Sequence, residues 1–152
     1  MWVSLLTGAT AMSDHYRKLE RMYLSAPVNR SYSPTLEISE GRAVVEFEVG
    51  EQFFHAANAV HGAVYFKALD DSAFFAASSM VPDRFVVTVS FNVYFTRPVS
   101  EGTLRAEGRV VHHSKSLLVA ESVLFNGDKE VARGSGTFVP SKIELSEELG
   151  YR

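Results

Sequence analysis

Residues 62–79 read GAVYFKALDDSAFFAASS. The stretch is rich in Ala and Phe, free of Pro, and apolar on nearly every side of a 3.6-residue turn. A helix with that pattern is enclosed by its neighbours, and Pro82 predicts its end. Beyond Pro82 the chain reads as strands. From Phe85 to Thr96 the residues alternate, with Phe85, Val87, Val89, Phe91, Val93 and Phe95 expected on one face. Val86, Thr88, Ser90, Asn92, Tyr94 and Thr96 take the other, up to Arg97-Pro98. Segments 103–113, 116–125 and 129–139 come next, the last two joined by Asn126-Gly127, a strong hairpin signal. Upstream, between Tyr32 and Val49, apolar residues also recur at every second position, with a turn at Glu40-Gly41.

Ser13 or Asp14 is expected to cap a short helix running to about Leu24, with Tyr16, Leu19, Tyr23 and Leu24 near one face. The order is helix, two strands, helix, four strands, with connections too short for parallel crossovers. This predicts an α+β class, a curved antiparallel sheet around one long central helix. Residues 1–12 are expected to form a disordered N-terminal extension, 13–142 the domain, and 143–152 a charged tail.

The chain has 152 residues, no Cys, and 15 basic against 18 acidic residues, for a net charge of −3. That length suits one domain. Without Cys there is no disulfide, thiol nucleophile or Cys-ligated metal. A nucleic-acid partner is not expected, because the basic excess it requires is missing. A membrane is not expected either, since no apolar run approaches the roughly 20 residues of a span. Residues 1–11 lack the basic start of a secretory signal, so a cytoplasmic location is expected.

Asp70 and Asp71 interrupt the apolar helix. An ionised carboxylate in such a setting costs several kcal/mol unless it is paired or its pKa rises. Adjacent helix positions point about 100° apart, so the two do not share one environment. Lys67 precedes Asp71 by four residues, which predicts an ion pair on a solvated edge of the helix. Asp70 then has no local partner, and perturbed carboxylates concentrate at functional sites.

His61-Gly62 stands where the helix begins, and a helix start offers unpaired N–H groups that can polarise a carbonyl oxygen. His55 and Asn58 lie in the loop just before it. His112-His113 is not read as a metal site, because consecutive strand residues face opposite ways and no third ligand is spaced to join them. Ser114-Lys115-Ser116 makes a polar, cationic turn. Arg97 and Arg133 are further candidate phosphate partners. Gly134-Ser135-Gly136 lies in a strand pattern and is not a dinucleotide fingerprint. No Gly-x-Ser-x-Gly nucleophile elbow occurs.

The stretch from His55 to Pro98, HAANAVHGAVYFKALDDSAFF…VVTVSFNVYFTRP, resembles the PaaI-like acyl-CoA thioesterases of the hotdog-fold superfamily. The family pattern places an Asn or Gln six residues before a His-Gly-Gly, then an Asp or Glu nine residues after that His. His55, His61-Gly62-Ala63 and Asp70 keep those spacings, and Thr96-Arg97-Pro98 falls where the family ends its next strand. The resemblance implies a hotdog fold that hydrolyses an acyl-CoA to free acid and CoA. It implies that the Gly62 N–H polarises the carbonyl, that Asp70 is general base or nucleophile, and that Thr88 assists water.

It also implies a site built across a homodimer, alone or as a dimer of dimers, with no cofactor beyond the CoA of the substrate. His61 is carried over with the catalytic set, and Asn58, Ala63, Asp71, Arg97, Lys115 and Ser116 are taken as substrate contacts. The chain departs from the pattern at His55, Asn58 (usually Gly), Ala63 (usually Gly) and Asp71 (usually Thr or Asn). Two other readings stand beside hydrolysis: a hotdog hydratase or dehydratase using His55 with Asp70, and a non-catalytic acyl-CoA-binding protein.

Overall fold

The computed structural model describes residues 2–152, and the surroundings of side chains from residue 11 onward. Six strands, β1 (Thr35–Ser39), β2 (Arg42–Glu48), β3 (Arg84–Phe95), β4 (Thr103–His113), β5 (Leu118–Asn126) and β6 (Lys129–Glu144), form one antiparallel sheet in the order β1-β2-β4-β5-β6-β3. The sheet curves around helix α2 (Gly62–Ser78), which packs on β2 through β6. This is the hotdog arrangement. Helix α1 covers Trp2–Ser25, so the start expected at Ser13 or Asp14 lies within it. The expected disorder of 1–12 concerns residues whose side chains, before Ala11, lie outside those described.

Close packing makes the enclosed helix possible. Ala68, Ser72, Ala73, Ala76 and Ala77 are all buried against the sheet. A Cβ at Gly108 of β4 would overlap the Ser72 carbonyl, so only glycine lets the strand pass there. Ser72 and Ser122 satisfy each other at 2.5 Å, so neither hydroxyl is buried alone. Leu69, Leu104, Leu118, Leu124 and Phe138 are wholly enclosed, each contributing about 1.5–3 kcal/mol by leaving water.

Helix α2 nevertheless keeps one open stripe. Ala63 and Phe66 are not fully enclosed, and Lys67, Asp70, Asp71 and Phe74 are only partly buried. The spacing of these residues is that of one helix face.

The strict alternation expected along β3 does not occur. Thr88 pairs with Phe138 but Ser90 pairs with Thr137, so Val89 is a surplus residue and the strand bulges. Before the bulge, Val86 and Thr88 face the helix. After it, Phe91 and Val93 turn inward while Val89, Ser90 and Asn92 point away from the core. Phe91 lies over Gly134 and Gly136, where any Cβ would overlap its ring. Those two glycines therefore serve packing.

Other expectations shift at their margins. Leu24 is exposed, and the buried face of α1 is His15, Leu19, Met22 and Tyr23. Strand β6 runs on to Glu144, pairing with Arg84, and Leu145, Leu149 and Tyr151 of the tail pack on the core. Tyr151 and the Ser78 carbonyl both bond His15, at 2.7 Å and 3.0 Å.

The two sheet edges are treated differently. At β1, the Ile38 N–H donates to Glu20 Oε1 at 2.8 Å, and its carbonyl accepts from Arg17 Nη2 at 2.7 Å. Helix α1 thus occupies hydrogen-bonding positions that another strand would use. Edge strand β3 carries exposed Val89, Tyr94 and Phe95 instead.

Candidate active site

The site grows from the bulge. By turning Thr88 toward α2, it sets the Thr88 hydroxyl to donate to Asp70 Oδ1 at 3.0 Å. This is the partner that local spacing did not supply. The Asp70 carboxyl is nonetheless pushed up to about 6. Burial is the main cause, the Thr88 bond opposes it, the Asp71 charge adds to it, and the Lys67 charge offsets it.

Asp71 takes a different environment, as the 100° rotation requires. It pairs with Lys67, but not on a solvated edge: the two side chains are only 15% and 18% exposed. Tyr23 donates to Asp71 Oδ2 at 2.7 Å, and Lys67 Nζ donates to Asn29 Oδ1 at 2.6 Å. Burial and the neighbouring Asp71 raise the Tyr23 pKa far above its ordinary range, which keeps this phenol a donor.

A cleft of about 220 Å³ opens beside these groups. Asp70 and Thr88 line it together with Phe74 and Phe85, while Met22 and Val28 come from the end of α1 and the turn after it. Sequence reasoning missed Met22, Tyr23, Val28, Asn29 and Phe85 as site residues. They reach Asp70 through tertiary packing, which no local spacing announces.

At the other end of α2, His61 is the N-cap, with Nδ1 accepting from the Ala63 N–H at 2.9 Å. That bond satisfies one of the helix's first donors, and no partner is seen for the Gly62 N–H among the described residues. Phe95 stands over Gly62, its Cε1 3.3 Å from where a Cβ would sit. His55 and Asn58 lie in the exposed loop before the helix and line a shallow depression with Glu51 and Phe54. His55 Nδ1 accepts from the Ala57 N–H at 3.1 Å, and Asn58 holds a left-handed φ of 60°.

Asp70, Asp71 and Thr88 therefore come together, and His61, Gly62 and Ala63 form a second group. Within one chain these groups are eight residues of helix apart, about 12 Å. Arg97 is exposed just past β3, with its carbonyl accepting from Tyr65 at 2.8 Å. Lys115 and Ser116 are exposed in the β4–β5 turn. That turn joins strands two and three places across the sheet from β3, about 10–14 Å from Thr88 across the strands. Among the described residues, no three His, Asp or Glu side chains gather as metal ligands would, and no helix is long and apolar enough to cross a membrane.

The comparisons with known proteins point the same way. A conserved protein of Pseudomonas aeruginosa superposes with a TM-score of 0.75 at 28% identity, covering 80% of this chain and 98% of that one. The PaaI protein of E. coli, from its phenylacetic acid degradation operon, gives 0.80 at 23% identity, over 88% of this chain and 98% of that one; at this identity the likeness speaks for the fold. A protein of Sulfurisphaera tokodaii named as an esterase is 30% identical over 102 residues, 66% of this chain and 75% of that protein. Residues 57–132, which hold Gly62, Asp70 and Thr88, match the family model described as the thioesterase superfamily. By that match, and by the fold it shares with these proteins, the chain belongs to the thioesterase superfamily.

Proposed function

We propose that the chain hydrolyses acyl-CoA thioesters to free acid and CoA. The single observation that carries this reading is the Thr88–Asp70 hydrogen bond, which fixes a half-buried carboxylate beside an apolar cleft. A carboxyl whose pKa is about 6 is mostly ionised at pH 7, yet basic enough to take a proton. As general base, Asp70 removes a proton from water while the water oxygen bonds the acyl carbon. The tetrahedral oxyanion then collapses and the C–S bond breaks, so the sulfur leaves as CoA thiolate and takes up a proton. Alternatively Asp70 bonds the acyl carbon itself as the C–S bond breaks and CoA thiolate leaves, and water cleaves the resulting anhydride to free acid and the Asp70 carboxylate.

The oxyanion needs a donor, and the Gly62 N–H is the candidate. One helix cannot bring its own Gly62 and Asp70 to a single carbonyl, so the reading requires a partner subunit. Free edge β3 supports one. If two copies pair there antiparallel about a two-fold through Asn92, with the bulge at Val89 taking up one residue on each strand, Phe95 of one lies opposite Thr88 of the other. Phe95 covers Gly62 and Thr88 holds Asp70, so each seam end joins one glycine amide to one carboxylate. As a neutral ring, His55 carries its proton on Nε2, a donor like that of the usual amide. Arg97, Lys115 and Ser116 remain the proposed contacts for CoA phosphates, and Arg97 lies by that seam.

Thiol release from a panel of acyl-CoA esters tests this reading. Asp70→Asn is expected to lower kcat by roughly 10²-fold or more. Full hydrolysis by that variant overturns the role of Asp70, and enoyl-CoA hydration without thiol release would favour a hydratase.

A further inference from the structure

The outer face of the sheet, turned away from α2 and Asp70, carries Arg42, Arg105, Arg109 and Arg133. Opposite charges on neighbouring strands support a sheet, and most of this face follows that rule. Arg105 meets Glu46 at 3.5 Å and Glu107 at 2.8 Å, Arg109 meets Glu121 at 3.1 Å, and Arg133 meets Glu130. Arg42 breaks the pattern. It lies directly opposite Arg109 in the β2–β4 register, and among the described residues no carboxylate stands within ion-pair distance of it. Like charges placed opposite one another weaken a sheet. Stability therefore gives no reason for Arg42, whereas an anion held between the two guanidinium groups does.

The surroundings suit such an anion. Ala43, Gly108, Ser122 and Gly134 form one row across β2, β4, β5 and β6, on the side that faces α2. Their small size lets the strands close on the helix, and a hollow on the outer side lies over Gly108 and Ser122. Arg42, Arg109 and Arg133 line it. Its carboxylates, Glu107 and Glu121, are those already engaged by Arg105 and Arg109. A guanidinium has more N–H donors than one carboxylate occupies, so Arg109 keeps donors to spare. Val123 and Phe125, each partly exposed, add an apolar floor.

We propose that this hollow is a phosphate-binding site, separate from the catalytic cleft, in which Arg42 and Arg109 clamp the diphosphate or triphosphate of a nucleotide or of a free oligophosphate. Planar guanidinium forks match pairs of phosphate oxygens, which a lysine ammonium does not. The site lies across the sheet from Asp70, and the proposal does not depend on the acyl-CoA hydrolase reading.

Pyrophosphate, ADP and ATP are titrated by calorimetry, at fixed ionic strength, into the unaltered protein, Arg42→Ala, Arg42→Glu and Lys115→Ala. Arg42→Ala is expected to bind at least about tenfold more weakly than the unaltered protein, as loss of a charged hydrogen-bond donor requires. ADP binding more tightly than pyrophosphate identifies a nucleotide with its base on the apolar floor, and equal binding identifies free oligophosphate. Arg42→Glu gives Arg109 the opposite charge that the rest of the face uses. It should lose phosphate binding yet melt about 1–4 °C above the unaltered protein without ligand. A merely structural Arg42 would instead make that variant melt lower, which overturns the argument. No binding by the unaltered protein, or equal binding by Arg42→Ala, overturns the site. Weakening by Lys115→Ala alone gives the ligand to the proposed CoA contacts and overturns it too. A change of mass in solution on Arg42→Glu, with no phosphate bound by the unaltered protein, gives the hollow to a second copy of the chain instead.

Discussion

Replacing Gly62 with proline removes one hydrogen atom of interest and little else. Position 62 is the first residue of α2, where proline is favoured because its missing N–H has no helical partner. The preceding His61 has φ −63° and ψ 141°, the extended conformation that a following proline demands. The new Cβ comes 3.3 Å from Phe95 Cε1, so that exposed ring must shift by a few tenths of an ångström. Gly62→Ala makes the same contact yet keeps the N–H, which makes it the control. Loss of one oxyanion donor costs about 10²–10³ in kcat. The expected outcome of a thiol-release assay is therefore a proline variant slowed by that factor and an alanine variant close to the unaltered rate. Mixing subunits extends the test. An Asp70→Asn chain paired with a Gly62→Pro chain rebuilds one intact site if the amide and carboxylate meet across a two-fold. Co-refolding equal amounts should then recover about a quarter of full activity. Equal loss in the alanine and proline variants, or no recovery on mixing, would refute the reasoning.

Lys67 lowers and Asp71 raises the Asp70 pKa, so Lys67→Met should move the acid limb of the kcat/KM profile up in pH and Asp71→Asn should move it down. Movement of both in one direction contradicts the assignment. Because the folded state raises the Asp70 pKa from 3.8 to about 6, the fold binds that proton more tightly than the unfolded chain does. The resulting stability is present below the ordinary carboxylate pKa and lost as pH rises through about 6. Asp70→Asn should accordingly melt above the unaltered protein at pH 7 and lose that advantage near pH 4, as thermal scans at the two pH values will read. Gly108→Ala forces a methyl into the Ser72 carbonyl, costing about 1–3 kcal/mol or more, and denaturant titration should show a lower midpoint.

The helix at 62–78 and all six strands were legible because each element's periodicity agrees with its burial. The spacing from His55 through His61 to Asp70 also put these residues on the loop and helix where the structure has them. Thr88 shows where such reading stops. Period two placed it on the row opposite Phe91, and the surplus Val89 that reverses this bears no Gly or Pro to betray a bulge. The Lys67–Asp71 pair was visible as an i, i+4 spacing, but its burial beneath Tyr23, Asn29 and Tyr32 depends on where α1 ends in space. Sequence separation hides such contacts. The same holds for Met22 and Val28, and for Tyr151, which meets His15 from 136 residues away.

Arg17 and Glu20 have a further consequence through their grip on Ile38. A β-sheet with two bare flanks can recruit neighbours without limit and grow into a fibre. Here one flank is plugged by side chains of the chain's own first helix, so under the proposed pairing recruitment at the other would be self-terminating, a second copy using up the remaining vacancy. Loosening that plug, by Arg17→Ala with Glu20→Ala, would turn a closed association into a polymerising one, visible as concentration-dependent scattering.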